Sequence, residues 1–359
     1  MVHLFNAGPA KVPDEVKEQI QSEFFNFAGS GISVIEISHR SPEFTALMNE
    51  SNVNLREILE IPDNYRILWL AGGATGLFSS IPLNLITSKD DVLDYVVTGT
   101  WSKGAAKEAE KYANVNYVVP IPADFTGVPL EESMKFTPGA KYVFYCDNET
   151  VNGIEFPHIL KTDSTIVCDM SSNFLSRAVD VQKYGAIFAG VQKNVAPAGL
   201  GVLIIREDLI SADRLHQVPK VWDFKLQDAA NSCLNTPNVF SLYVTNLVLK
   251  HLMKNGGLKR YSELSRQKSS AIYDIIDDSN GFYACKIDKD ARSRMNVTFK
   301  LASKDLEAEF VKKAADLKIE GVKGHRSVGG IRASLYNAVT MESVNYLGDF
   351  MKSFQKNHE

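Results

Sequence analysis

The 359-residue sequence predicts an α/β protein, with a large domain built on a mainly parallel sheet flanked by helices and a smaller α+β domain towards the carboxyl end. Three observations predict it. Short apolar runs alternate with helix-length amphipathic segments between residues 66 and 205, the rhythm of βαβ units whose strands are buried on both faces. The chain is also longer than a single hydrophobic core usually serves. Beyond Gly256-Gly257 the alternation gives way to three helices and three short apolar runs, so the expected division is 14–255 for the large domain and 1–13 with 256–359 for the small one.

The elements follow in order. Asn6-Ala-Gly-Pro9 and Pro13 read as a loop entry to a helix over 15–25 that opens with an acidic turn. Gly29-Ser-Gly31 ends it, His39-Arg40 lies on an extended stretch, and a second helix spans 44–59. Arg66-Ile-Leu-Trp-Leu70 is a strand, Ala71-Gly-Gly-Ala-Thr-Gly76 a tight turn, and 77–86 a helix. Strands are expected at 91–97, 115–119, 141–146, 164–168, 186–189 and 201–205, with a helix at 102–112. A helix over 207–214, an irregular polar region and a long helix over 239–255 complete the large domain. The small domain should hold helices at 259–276, 304–317 and 341–354, with strands at 282–287, 295–300 and 331–334.

Composition narrows the function. Hydrophobic residues at 45% and charged residues at 23% are ordinary for a globular protein. A net charge of -4, without a Lys/Arg cluster, argues against nucleic acid or an anionic membrane as principal partner. The four cysteines form no CxxC pair and the seven histidines never pair at metal-ligand spacing, so neither a disulfide framework nor a metal site is expected. With no signal-like leader or membrane-length apolar run, a cytoplasmic location fits best.

Ligands of such sheets bind at the carboxyl ends of the strands. There the sequence sets Lys193 in the turn Gly190-Val-Gln-Lys-Asn-Val-Ala-Pro-Ala-Gly199, Asp169 after a strand, Trp101 after another, and the glycine turn 71–76 before a helix. Taken singly, each has a commonplace explanation as a solvated lysine, a helix-capping acid, a loop aromatic or a packing turn. Together they suit pyridoxal 5'-phosphate. Its aldehyde condenses with a lysine amine, a carboxylate keeps its ring nitrogen protonated, an aromatic stacks on the ring, and a helix amino terminus receives its phosphate.

The segments Asn6-Ala-Gly-Pro9, Ile37-Ser-His-Arg-Ser41, Gly72-Gly-Ala-Thr75, Gly99-Thr-Trp-Ser-Lys-Gly-Ala-Ala-Lys-Glu-Ala109, Asn148-Glu-Thr-Val-Asn-Gly153, Asp169-Met-Ser-Ser172, Gln192-Lys-Asn-Val-Ala-Pro-Ala-Gly199, Asn235-Thr-Pro237 and Gly329-Gly-Ile-Arg-Ala-Ser-Leu-Tyr-Asn337 run in order over nearly the whole chain. They closely resemble the phosphoserine aminotransferase family, class V within the fold-type-I pyridoxal phosphate enzymes. The resemblance implies that Ala74, Thr75, Trp101, Thr150, Asp169 and Gln192 contact the cofactor, and that Lys193 carries it as a Schiff base. It also implies a homodimer in which Asn235 and Thr236 reach the cofactor phosphate of the neighbouring subunit. Thr75 stands where some members carry an arginine, so phosphate binding should lean on backbone N–H groups and Thr236.

The resemblance aligns Arg332 with the arginine that binds the substrate α-carboxylate, and assigns the distal anion to His39, Arg40, His325 and Arg326. It implies amino transfer between glutamate and 3-phosphohydroxypyruvate, giving 2-oxoglutarate and phosphoserine, with Lys193 and Asp169 catalytic. The alternative is another class V aminotransferase of the serine- or alanine-glyoxylate type, which has no need of the distal basic group. A desulfurase would be expected to carry histidines where Gln192 and Trp101 stand.

Overall fold

The computed structural model describes residues 1–211 and 213–358. The chain opens with β1 (His3–Leu4), α1 (Asp14–Glu23) and α2 (Pro42–Leu59). The sheet region follows as β2 (Tyr65–Ala71), α3 (Gly73–Leu85), β3 (Val92–Val96), α4 (Thr100–Ala109), β4 (Asn114–Tyr117) and β5 (Tyr142–Cys146). A small hairpin, β6 (Asn148–Glu149) and β7 (Ile154–Glu155), precedes β8 (Ile166–Asp169), β9 (Ala186–Gly190) and β10 (Leu200–Arg206). The remainder is α5 (Phe224–Ala229), α6 (Val239–Lys254), α7 (Gly257–Asp277), β11 (Asn296–Phe299), α8 (Lys304–Asp316), β12 (Ile319–Glu320), β13 (Ile331–Ser334) and α9 (Met341–Lys356).

A seven-stranded sheet in the order β2-β10-β9-β8-β5-β3-β4 organises the large part of the molecule. The pairs from β9 through β4 are parallel, and β10 runs antiparallel to both β9 and β2. Every strand residue of β5, β8 and β9 is buried, because helices cover both faces. Alternation along the strands sorts the side chains: Ile67, Trp69, Val143, Tyr145, Ile187 and Ile204 enter the core with α2 and α6. Leu68, Leu70, Phe144, Phe188, Leu203 and Ile205 enter the other, with α3 and α4.

A third core is formed by α7, α8, α9, β11 and β13. Phe5 belongs to it, fully buried, because β1 pairs in parallel with β12, His3 opposite Ile319. Gly256 and Gly257, at φ 89° and 62°, make the turn between α6 and α7 that a residue with a β-carbon rarely adopts.

Three elements differ from the sequence expectation. The helix over 207–214 is only a single 3-10 turn, Glu207–Leu209, and Ala212 lies outside the described residues. The segment is tied to other parts of the chain at its two ends, the Glu207 N–H to the Asn64 carbonyl and the Leu215 N–H to the Ile86 carbonyl. The strand over 282–287 reduces to one bridge, Ala284 with Lys300, since Tyr283 packs in the small core whereas Ile287 packs with Ile154 and Ala291. The expected turn over 71–76 is mostly helix: Gly72 and Gly73, at φ 100° and 57°, make the bend and α3 begins at Gly73. The polar region before α6 also contains α5, capped by Asp223.

Candidate active site

Register brings the predicted residues to one edge of the sheet. Cys146 of β5 lies opposite Asp169 of β8, and the Asp147 N–H donates to the Asp169 carbonyl at 2.9 Å. Asp169 is therefore fixed at the carboxyl end of its strand, beside the loop after β5 and the lysine turn after β9. Its Oδ1 accepts from the Ser171 N–H at 2.8 Å and the Ser171 hydroxyl at 2.5 Å. Among the described residues Oδ2 has only the Cys146 thiol at 3.7 Å, which leaves strong acceptor capacity on a buried carboxylate. That thiol is inert, held well above its ordinary pKa by burial and by the charges of Asp169 and Glu149. The Ser171 hydroxyl also accepts from the Gly190 N–H at 2.9 Å, which ties Asp169 to the start of the lysine turn.

Lys193 projects from that turn to donate to the Thr150 hydroxyl at 2.9 Å. Its Nζ stands 5.4 Å from the centroid of the Trp101 ring, within cation–π range. Trp101 lies in the first turn of α4, and its indole Nε1, although buried, has no partner among the described residues. An unpaired buried donor is costly, and a bound group that accepts from it would offset that cost.

The amino end of α3 is different in kind. Its N-cap is Gly72, with no side-chain cap, so N–H groups of the first turn remain available to an anion. A β-carbon on Gly190 would stand 3.2 Å from the Ala74 nitrogen and 2.7 Å from the Gln192 Oε1, so Ala74 and Gln192 meet over a strand end that must lack a side chain. Thr75 is exposed on the same turn. The chain entry closes the other side of the lysine: the Ala10 N–H donates to the Gln192 carbonyl at 3.0 Å, and the Tyr336 hydroxyl holds the Ala7 carbonyl at 2.8 Å.

Arg332, on β13, donates to the Thr150 carbonyl at 3.4 Å, so it approaches the same loop that holds Lys193. Its Nε is buried without a partner among the described residues, and burial pulls the guanidinium below its ordinary pKa. A bound carboxylate would offset both costs. His325 shares with Arg332 a cavity of about 510 Å³ that also meets Asn152, Thr298 and Lys300. Its pKa is lowered by burial and then by the positive charges of Arg332 and Arg326, so the neutral imidazole is favoured there. Arg326 is exposed.

Among the described residues, no hydrogen bond or ion pair joins four of the predicted residues to this cluster. Among the described residues the side chains of His39 and Arg40, ahead of α2, form no hydrogen bond or ion pair. The Asn235 Oδ1 accepts from Gln227 at 2.9 Å, and Thr236 is exposed. Conversely, the sequence places Glu149, Asn152 and Ser171 inside two of the family segments, 148–153 and 169–172, without assigning any of them a role.

The class-V aminotransferase family model matches residues 2–347. The chain belongs to the class-V aminotransferases. This aminotransferase is 49% identical, over the full length of both chains, to the phosphoserine aminotransferase of Drosophila melanogaster. It is 44% identical to that of Laribacter hongkongensis, with 99% of each chain covered. Among solved structures, the phosphoserine aminotransferase of Bacillus circulans subsp. alkalophilus superposes with a TM-score of 0.96 at 39% identity, covering 100% of this chain and 99% of that one. The pyridoxal phosphate-bound phosphoserine aminotransferase of Trichomonas vaginalis gives 0.94 at 40% identity, with 98% and 100% covered.

The enzyme is thus a pyridoxal phosphate-dependent transaminase of fold type I, and its donor set fits the cofactor. Lys193 offers the amine, the free oxygen of Asp169 an acceptor for a protonated ring nitrogen, the Trp101 face a stacking surface, and the uncapped α3 turn with Gln192 a phosphate cradle.

Proposed function

We propose that this aminotransferase carries out reversible amino transfer between glutamate and 3-phosphohydroxypyruvate, yielding 2-oxoglutarate and O-phospho-L-serine, in serine biosynthesis. The observation that carries the proposal is the meeting of Lys193, Trp101 and Arg332 on one loop through Thr150, with His325 in the adjoining cavity. The names of its full-length relatives support the substrate pair.

When bound, pyridoxal phosphate supplies an electron sink for the bonds at an amino acid's α-carbon. The chain's residues do the rest. Asp169 holds the proton of the ring nitrogen, and Ser171 keeps its other oxygen occupied so that the free one stays aimed. Arg332 takes the α-carboxylate in a two-pronged grip, which sets the α-carbon beside Lys193. The Lys193 amine, once freed, would take the proton from the substrate α-carbon as general base and give it up again as general acid. His325 and Arg326 receive the distal phosphate or carboxylate; an anion there raises the His325 pKa and strengthens the grip.

The working assembly we propose is a homodimer in the cytoplasm. His39, Arg40, Asn235 and Thr236 have no role around Lys193 in their own chain, and serve the substrate and cofactor phosphate of a second copy. The four free cysteines are consistent with a reducing compartment. We also take 14–255 and 1–13 with 256–359 as the large and small domains.

Incubation of the purified protein with glutamate and 3-phosphohydroxypyruvate should release 2-oxoglutarate, and a preference for alanine with glyoxylate would overturn the substrate assignment. Lys193→Ala should abolish both turnover and the borohydride-trappable cofactor bond; retention of both removes Lys193 from its role.

A further inference from the structure

The loop that follows β5 carries a residue with no role so far. Glu149 is fully buried, and its carboxylate accepts three hydrogen bonds from the start of α4: the Trp101 N–H at 2.9 Å, the Ser102 N–H at 2.7 Å and the Ser102 hydroxyl at 2.6 Å. The N-cap of α4 is Gly99, which has no side chain to offer. Glu149 therefore caps the helix from a distant strand, where the helix dipole favours a negative charge. The neighbouring Asn152 completes the cap, its Oδ1 accepting from the Thr100 N–H at 2.9 Å and the Thr100 hydroxyl at 3.1 Å. Ser102 turns its oxygen back to the N–H groups of Thr98 and Gly99. Unlike α3, then, α4 keeps no free first-turn donors for an anion.

This cap reaches the chemistry through its neighbours in sequence. Trp101 is itself one of the donors, so its backbone is set by Glu149, and Thr150, the next residue, holds the Lys193 amine by its hydroxyl and Arg332 by its carbonyl. The hairpin β6–β7 stiffens the loop, and the Glu149 carbonyl accepts from the Gly153 N–H at 2.8 Å. A β-carbon at Gly99 would run into the Glu149 carboxyl group, so the glycine is what lets the carboxylate approach.

We propose that Glu149 is a positioning residue of this aminotransferase: by clamping the amino end of α4 it fixes the Trp101 ring over Lys193 and ties that ring to the loop that holds Lys193 and Arg332. It touches neither substrate nor cofactor. The proposal rests on the assignment of Lys193 and Trp101 to the cofactor, and not on which substrate pair is used.

Glu149→Gln keeps the shape but turns one acceptor into a donor that faces a backbone N–H. The test begins with cofactor-free protein. The emission and near-ultraviolet circular dichroism of Trp101, isolated by difference from Trp101→Phe, should change in Glu149→Gln while the far-ultraviolet spectrum stays the same. In the loaded enzyme, kcat should fall by about 10- to 100-fold, the range for losing hydrogen bonds to a charged group, with KM for glutamate changing far less. Gly99→Ala, which presses the same clamp from the other side with Glu149 intact, should produce the same Trp101 spectral change. A Trp101 signal identical to wild type in both variants overturns the proposal, as does an equal loss of kcat with no spectral change. If the wild-type enzyme proves to use another amino donor, the Trp101 signals still decide the role of Glu149.

Discussion

Lys268 offers the most quantitative test of how burial sets energetics in this protein. It lies on the inward face of α7, 2% exposed, in register with Tyr261, Ser265, Ile272 and Ile276. Its Nζ donates to the carbonyls of Tyr336 at 2.7 Å and Val339 at 3.1 Å, with no carboxylate among the described residues bonded to it. Burial pulls its pKa from 10.5 to about 7. Because the folded pKa lies below the unfolded one, the unfolded chain binds the proton more tightly between those limits, and stability rises with pH across the window. The penalty is complete below about pH 7 and vanishes near pH 10.5, with a total on the order of 5 kcal/mol at 1.36 kcal/mol per unit. Between pH 7 and pH 9 the same linkage returns about 2 kcal/mol. Lys268→Met removes the titrating group and leaves Lys11, Asp14, Glu15, His251 and Arg260, which border the adjacent cavity, in both proteins. Urea unfolding of both at pH 7 and pH 9 should show wild type gaining about 2 kcal/mol on the variant. A difference that stays flat over that range refutes the reasoning.

Two further outcomes follow from the site. Arg40→Ala and Lys193→Ala, each inactive alone, should regain activity when mixed under subunit exchange, because one of the two sites in a mixed dimer would then be intact; activity that stays absent in mixtures shown to contain the mixed dimer would place His39 and Arg40 outside the neighbouring site. Arg332→Lys keeps the charge but loses the two-pronged geometry, and kcat/KM for glutamate should fall roughly 10- to 100-fold, mostly through KM; an unchanged KM would remove Arg332 from carboxylate binding.

The strands were legible because burial on both faces writes them as continuous apolar runs. The ends of β5, β8 and β9 fall within two residues of their expected positions. Helices with an amphipathic stripe, such as α7 and α9, were equally plain. Legibility failed where tertiary contacts decide the backbone. The segment expected as a helix over 207–214 carries helix-forming side chains, yet the N–H groups at its two ends, of Glu207 and Leu215, are bonded to the Asn64 and Ile86 carbonyls. Residues 282–287 look like a strand, but only Ala284 finds a partner, because the flanking side chains belong to two different cores.

The sequence by itself determined the chemical identities: a lysine, a carboxylate, an indole and a glycine turn at strand ends, together with the family motifs that name their reaction. Those are properties of residues and of their order along the chain. Only the tertiary structure decided which of them meet. It joined Lys193 to Thr150 and Trp101, left one oxygen of Asp169 free, and brought Arg332 to the same loop from a different core. It also left His39, Arg40, Asn235 and Thr236 outside that cluster, and gave Glu149 its work at the head of α4. The physical reason is that a hydrogen bond or ring contact depends on distances of a few ångströms between residues that strand register and packing, not spacing along the chain, bring together.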